Sequence, residues 1–123
     1  MAWFKVDDKF HSHPKVLGLP LRAIGLWTKA GAWCADQLTD GYIPKTAVTV
    51  LGGTAGDARL LVEAGLWKVD GDGWRFHDWL ELQPSRKDTL EKREQDRARK
   101  AEARAAKAGK TKAENERKLR SVQ

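Results

Sequence analysis

All six tryptophans, Trp3, Trp27, Trp33, Trp67, Trp74 and Trp79, fall before residue 80, and past Pro84 the apolar residues other than alanine dwindle to Leu90, Leu119 and Val122. Each indole carries a large buriable surface, so any hydrophobic core this chain builds belongs to residues 1–84. A length of 123 residues leaves room for one ordinary domain and an appendage. Charge divides at the same place. Residues 1–84 hold nine Lys or Arg against ten Asp or Glu, and residues 85–123 hold fourteen against seven. The net charge of +6 therefore resides in the tail, and attraction for polyanions is expected there first.

The lone Cys34 cannot form an intramolecular disulfide, no apolar run approaches the roughly 20 residues of a membrane-spanning helix, and "MAWFKVDDKF" does not read as a secretory leader. A cytoplasmic protein with no membrane partner is expected.

Along the chain, "AWFKV" reads as a short opening strand and "SHPKVLGLP" as a short helix, capped by Ser12 and stopped by Gly18 to Pro20. From Leu21, the residues Ile24, Trp27, Gly31, Cys34 and Leu38 recur at steps of three and four, which lays them on one helical face, and Asp40 with Gly41 is the expected stop. "YIP" is a brief β-prone run, with Pro44 opening the compact helix "KTAVTVL". Gly52 and Gly53 suit a sharp turn, and Thr54 followed by Asp57 matches a capping box with Asp in place of Glu. The helix that starts there presents Ala58, Leu61, Leu60 and Ala64 to the core and ends at Gly65. "LWKV" and "WRFHDW" flank "DGDG", a strong hairpin signal. The resulting fold class is α+β: a winged helix-turn-helix domain over residues 1–84, followed over 85–123 by a basic, solvated C-terminal helix. That helix is expected from Ser85 to Ala108, with Gly109 as its stop and a frayed or disordered remainder.

Several groupings carry chemical meaning. In the tail, Arg86, Arg93, Arg97, Lys100, Arg104 and Lys107 are spaced by seven, four, three, four and three residues, a stripe on one side of a helix, with Asp88 placed to pair with Lys92. Such a stripe would neutralise duplex phosphates and release counterions; its plainer reading is a solvated helix whose charges confer solubility. The helix after the glycine turn offers Arg59 as its clear base reader, with Thr54 near its start, and Lys45, Thr46 and Thr49 on the preceding helix suit backbone contacts. Lys68 and Arg75 on the hairpin add phosphate contacts, opposed by Asp70 and Asp72 at its tip. The tryptophans read mostly as core, with Trp74 or Trp79 the candidates for partial exposure. His11, His13, His77 and Cys34 lack the spacing of a zinc site. No nucleophile elbow occurs, and "GGTAG" lacks the Lys-Ser/Thr of a nucleotide loop. No enzyme, metal or cofactor is expected.

The strings "MAWFKVDDKFHSHPKVLGL", "GLWTKAGAWCADQLTDGYIP" and "LVEAGLWKVDGDGWRFHDWLELQPS" resemble a family of actinobacterial phage and prophage helix-turn-helix or replication-initiation proteins with a DnaD-like N-terminal winged helix. The resemblance covers residues 1 to about 85 and leaves the tail outside it. It implies a DNA-binding or primosome-organising role in phage or prophage replication, with double-stranded DNA and replication proteins as partners. Trp3 and the long helix from Leu21 are the expected surfaces of a homodimer. Two alternatives share this chemistry: a protein-protein adaptor that uses the winged helix as a docking module, and a phage transcriptional regulator.

Overall fold

A computed structural model describes residues 3–121, which form two compact units divided between Thr89 and Leu90. The first unit is α+β. A 3-10 turn at Phe10–Ser12 leads into α1 (Pro14–Leu17), α2 (Leu21–Gln37), β1 (Tyr42–Pro44), α3 (Lys45–Val50), α4 (Ala55–Glu63), β2 (Trp67–Asp70), β3 (Gly73–Phe76) and α5 (Trp79–Leu82), before α6 (Arg86–Ser121) begins. The strands make an antiparallel sheet in the order β1-β3-β2. Ile43 and Val69 both lie opposite Trp74, and Pro44 and Asp70 both lie opposite Gly73. A Cβ at Gly73 would overlap the Ile43 carbonyl oxygen, so the close approach of β1 to β3 requires glycine. Gly71 takes φ 57 at the first of the two turn residues, where a tight hairpin needs a positive value.

The core lies where α2, α3 and α4 meet the sheet, with Cys34, Ile43, Leu61 and Trp67 its largest fully buried side chains. The buried line of α2 is Ala23, Leu26, Ala30, Gly31 and Cys34, which displaces part of the stripe expected at Ile24, Trp27, Gly31, Cys34 and Leu38. The alanines are small enough to let neighbouring helices approach. The bulkier Trp27 lies at the flank, stacked on Phe10 with ring centroids 4.4 Å apart. The helix also ends earlier than Asp40: Leu38 is already left-handed at φ 57 and ψ 48, followed by Asp40 at φ 52 and Gly41 at φ 88. Gly41 is needed on two grounds, its φ and the Trp79 side chain, whose Cβ lies 2.8 Å from where a Cβ would stand.

The start of α4 follows the capping box closely. Thr54 Oγ1 accepts from the Asp57 N–H at 3.2 Å, and Asp57 Oδ2 accepts from the Thr54 N–H at 3.0 Å. Arg22 Nε, from the first turn of α2, donates to the other Asp57 oxygen at 2.5 Å. One carboxylate thus caps α4 and ties it to α2. Gly65 follows the helix with φ 80, a common helix-ending conformation.

The N-terminal segment departs from expectation. Residues 3–7 form no strand. Instead the Phe4 ring lies over Gly31, where a Cβ would overlap it, and stacks on Trp79 at 5.8 Å. The side chain of Gln83 then grips the Lys5 backbone from both sides, accepting from its N–H at 2.9 Å and donating to its carbonyl at 2.6 Å. These partners lie almost the whole unit apart in sequence, so strand propensity is overridden by side-chain contacts. The cap of α1 is His13, whose Nδ1 accepts from the Lys15 N–H at 3.1 Å, and not Ser12. Pro44 ends β1 and caps α3 from outside the helix. Trp79 is buried, against the expectation that it is a candidate for exposure; Trp74, the other candidate, is half-buried, and Trp3 is 73% exposed.

The second unit is helix alone. Gly109 does not stop α6, which runs on to Ser121; Val122 lies outside the described residues. One glycine costs about 1 kcal/mol of helix propensity, which the surrounding Ala, Lys, Arg and Glu outweigh. Asp88 and Lys92 do not form the expected pair; α6 instead carries ion pairs between Arg97 and Glu94 at 3.2 Å and between Arg99 and Asp96 at 2.5 Å, both three residues apart. Ser85 accepts from the Asp88 N–H at 3.0 Å, the cap expected for this helix.

Candidate functional site

The compact α3, the capped α4 and the β2-β3 hairpin enclose a groove of about 450 Å³. Lys45 and Thr49 come from α3 and Arg59 from α4, three of the residues singled out in the sequence. Its floor and far wall are Val48, Val62, Val69 and Trp74. Sequence reading missed Val69 and Trp74 as site residues. The signal was present: period-two alternation puts Val69 on the same face of β2 as Trp67, and the hairpin register sets Trp74 opposite it. Lys45 and Arg59 are exposed and form no ion pair among the described residues, and no acidic residue lines the groove.

The remaining head candidates are placed differently. Thr46 and Lys68 are exposed but do not line the groove. The Thr54 hydroxyl is occupied by the capping box and receives Arg22 Nη2 at 3.4 Å. Arg75 acts as a brace. It pairs with Asp70 at 2.8 Å, donates to the Asp40 carbonyl at 3.0 Å and lies 5.5 Å over the Tyr42 ring. Arg86 is anchored at the root of α6, its N–H donating to Asp40 Oδ1 at 2.5 Å and its guanidinium reaching the Leu38 carbonyl at 3.5 Å.

In the second unit Arg93, Arg97, Lys100, Arg104 and Lys107 are all exposed along α6. Arg97 is engaged by Glu94, and the other four form no ion pair among the described residues. Their spacing keeps them on one helical face.

Titration within the first unit has structural causes. The Arg22 guanidinium, followed by the Thr54 hydrogen bonds, holds the Asp57 carboxyl below its ordinary 3.8 despite its burial. Burial pushes the Cys34 thiol up to about 11, which leaves it protonated and unreactive near neutrality. Among the described residues no three His, Cys, Asp or Glu side chains gather as a metal site, and no helix is long and apolar enough to cross a membrane. No protein-family model matches the chain, and no curated protein or solved structure matches it significantly.

Proposed function

We propose that the first unit is a winged helix-turn-helix domain that binds double-stranded DNA without catalysis, and that the basic face of α6 adds phosphate contacts. The order helix, strand, helix, helix, hairpin from α2 to β3, with β1 paired to the returning hairpin strand, supports this assignment. In it α4 is the recognition helix and the β2-β3 hairpin is the wing. The observation that carries the reading is the groove itself: Lys45 and Arg59, both without ion-pair partners among the described residues, face one concavity beside the hairpin with no acid among its lining. Arg59 serves base edges, Lys45 and Thr49 serve phosphates, and with so few base readers sequence preference is modest. The resemblance to phage and prophage replication-initiation proteins supports a role in replication initiation in the cytoplasm of a bacterial host.

One observation favours a second reading. The groove floor is apolar, and Val69 is 67% exposed, which suits an adaptor receiving an apolar segment of a replication protein better than a phosphate backbone. Fluorescence anisotropy of the full chain on mixed-sequence duplex across a salt series separates the two. Replacing Arg93, Arg97, Lys100, Arg104 and Lys107 with Gln is expected to flatten the salt slope by about 0.9 for each phosphate that is no longer neutralised. Lys45→Ala with Arg59→Ala is expected to weaken duplex binding further. Unchanged duplex affinity in that double variant at every salt concentration would assign the groove to a protein partner.

A further inference from the structure

Duplex phosphates would use only the cations of the groove, yet its floor and far wall are Val48, Val62, Val69 and Trp74. These surfaces are not all spent on the core. Val69 is 67% exposed, and Val62 and Trp74 are half-buried. Trp74 lies on the central strand, with Ile43 opposite on one neighbour and Val69 opposite on the other, so the sheet fixes its backbone from both sides. The buried Trp67 packs against it with ring centroids 6.1 Å apart, which anchors the Trp74 indole at the margin of the core.

At about 450 Å³ the groove falls within the roughly 300–1,000 Å³ of sites that hold small molecules. A base stacked inside a duplex shows only its edge and cannot lay a face on an indole; a base released from the stack can. An apolar peptide segment would use the valines and leave Lys45 and Arg59 unanswered. A nucleotide answers both parts of the lining, its ring on the aromatic and its phosphates on the cations, which is how proteins hold single-stranded nucleic acid. The exposed Lys45 and Arg59 form no ion pair among the described residues, and no acid lines the groove to repel a phosphate.

We propose that the groove receives an unpaired base of DNA, its ring laid on Trp74 within the valine walls, with Lys45 on a flanking phosphate and Arg59 beside the base edge, so that the chain prefers DNA carrying an extrahelical base to fully paired duplex. This preference presupposes that the groove is a DNA site. Anisotropy of the full chain compares three DNAs of one sequence: a paired duplex, the same duplex with one extra unpaired thymine, and that bulged duplex with a stable abasic residue in place of the thymine. The thymine bulge is expected to bind about five- to tenfold tighter than the paired duplex, the lower part of what stacking one base on an aromatic side chain contributes. The abasic bulge loses that gain, because it keeps the extra phosphate and lacks the ring. Trp74→Leu erases the preference and leaves affinity for the paired duplex unchanged. The indole N–H resonance of Trp74 in the unmodified, nitrogen-labelled chain, shifting with the thymine bulge and not with the abasic one, locates the contact without a substitution. Equal affinity for the thymine and abasic bulges, a thymine preference that persists in folded Trp74→Leu, or a Trp74 resonance that does not distinguish the two bulges overturns the proposal and leaves paired-duplex binding standing. Undiminished affinity for all three DNAs in the Lys45→Ala, Arg59→Ala double variant overturns it together with the DNA reading of the groove.

Discussion

In the first unit Leu61 and Ile43 are wholly buried and the helices rest on a sheet, whereas in α6 beyond Leu90 every described side chain is exposed except the half-buried Asp96. Both regions are helix-rich, yet their helices form for different reasons. The head's short helices, such as the six-residue α3, are below the length at which an isolated helix holds in water, so they exist because they bury an apolar face. The tail reaches 36 residues within one element and relies on propensity and local ion pairs. A chain can therefore confine shape to one region and charge to another. Substitutions that cripple one should barely register in the other.

The largest contrast is expected from truncating a leucine in each. Leu61→Ala should cost about 2–5 kcal/mol in chemical denaturation followed by tryptophan fluorescence. Leu119→Ala, at a side chain 70% exposed, should stay within about 0.5 kcal/mol. Equal losses would mean that α6 is packed against something and is not a solvated helix.

Asp57→Asn sharpens the comparison through pH. It removes the reciprocal cap and the Arg22 pair and is expected to cost about 1–2 kcal/mol at neutral pH. Because the folded carboxyl titrates below its ordinary 3.8, the stability it contributes is complete above the unfolded value and is lost as pH falls through the folded one. The deficit of the variant relative to the parent should therefore shrink in acid below about pH 4. A deficit that is constant from neutrality into acid would show that the carboxylate charge plays no part.

The smallest effect is expected from Gly109→Ala. It should raise the far-ultraviolet helical signal of the tail by relieving about 1 kcal/mol of propensity, leaving the tryptophan-detected unfolding of the head unmoved. No gain in helical signal would mean that α6 is already fully formed through Gly109.

Much of this contrast can be read from the residues. The Thr54-Asp57 box, the Gly65 stop and the hairpin around "DGDG" appear as expected, because each is decided by contacts within a few positions; the β-prone "YIP" also appears, but as a strand paired with the distant β3. The limits of α2 and the role of residues 3–7 were not legible. Leu38 turns left-handed within a closure that also places Asp40 beneath Arg75 and Arg86, and residues 3–7 answer to Gly31 and Gln83, which lie far along the chain. Of the candidate site, Lys45, Thr49 and Arg59 were visible as exposed polar residues on neighbouring helices. That Thr54 and Arg75 are committed to internal bonds, and that Val69 and Trp74 complete the groove, depends on how the hairpin packs.

By itself the sequence determined where a core could form and where charge would gather, since tryptophan placement, capping pairs and charge spacing act locally and need no partner to be recognised. Only the tertiary structure decided which polar side chains remain free. A hydroxyl or guanidinium is available to a ligand only if no distant carbonyl or carboxylate has already claimed it, and such claims are made across the fold.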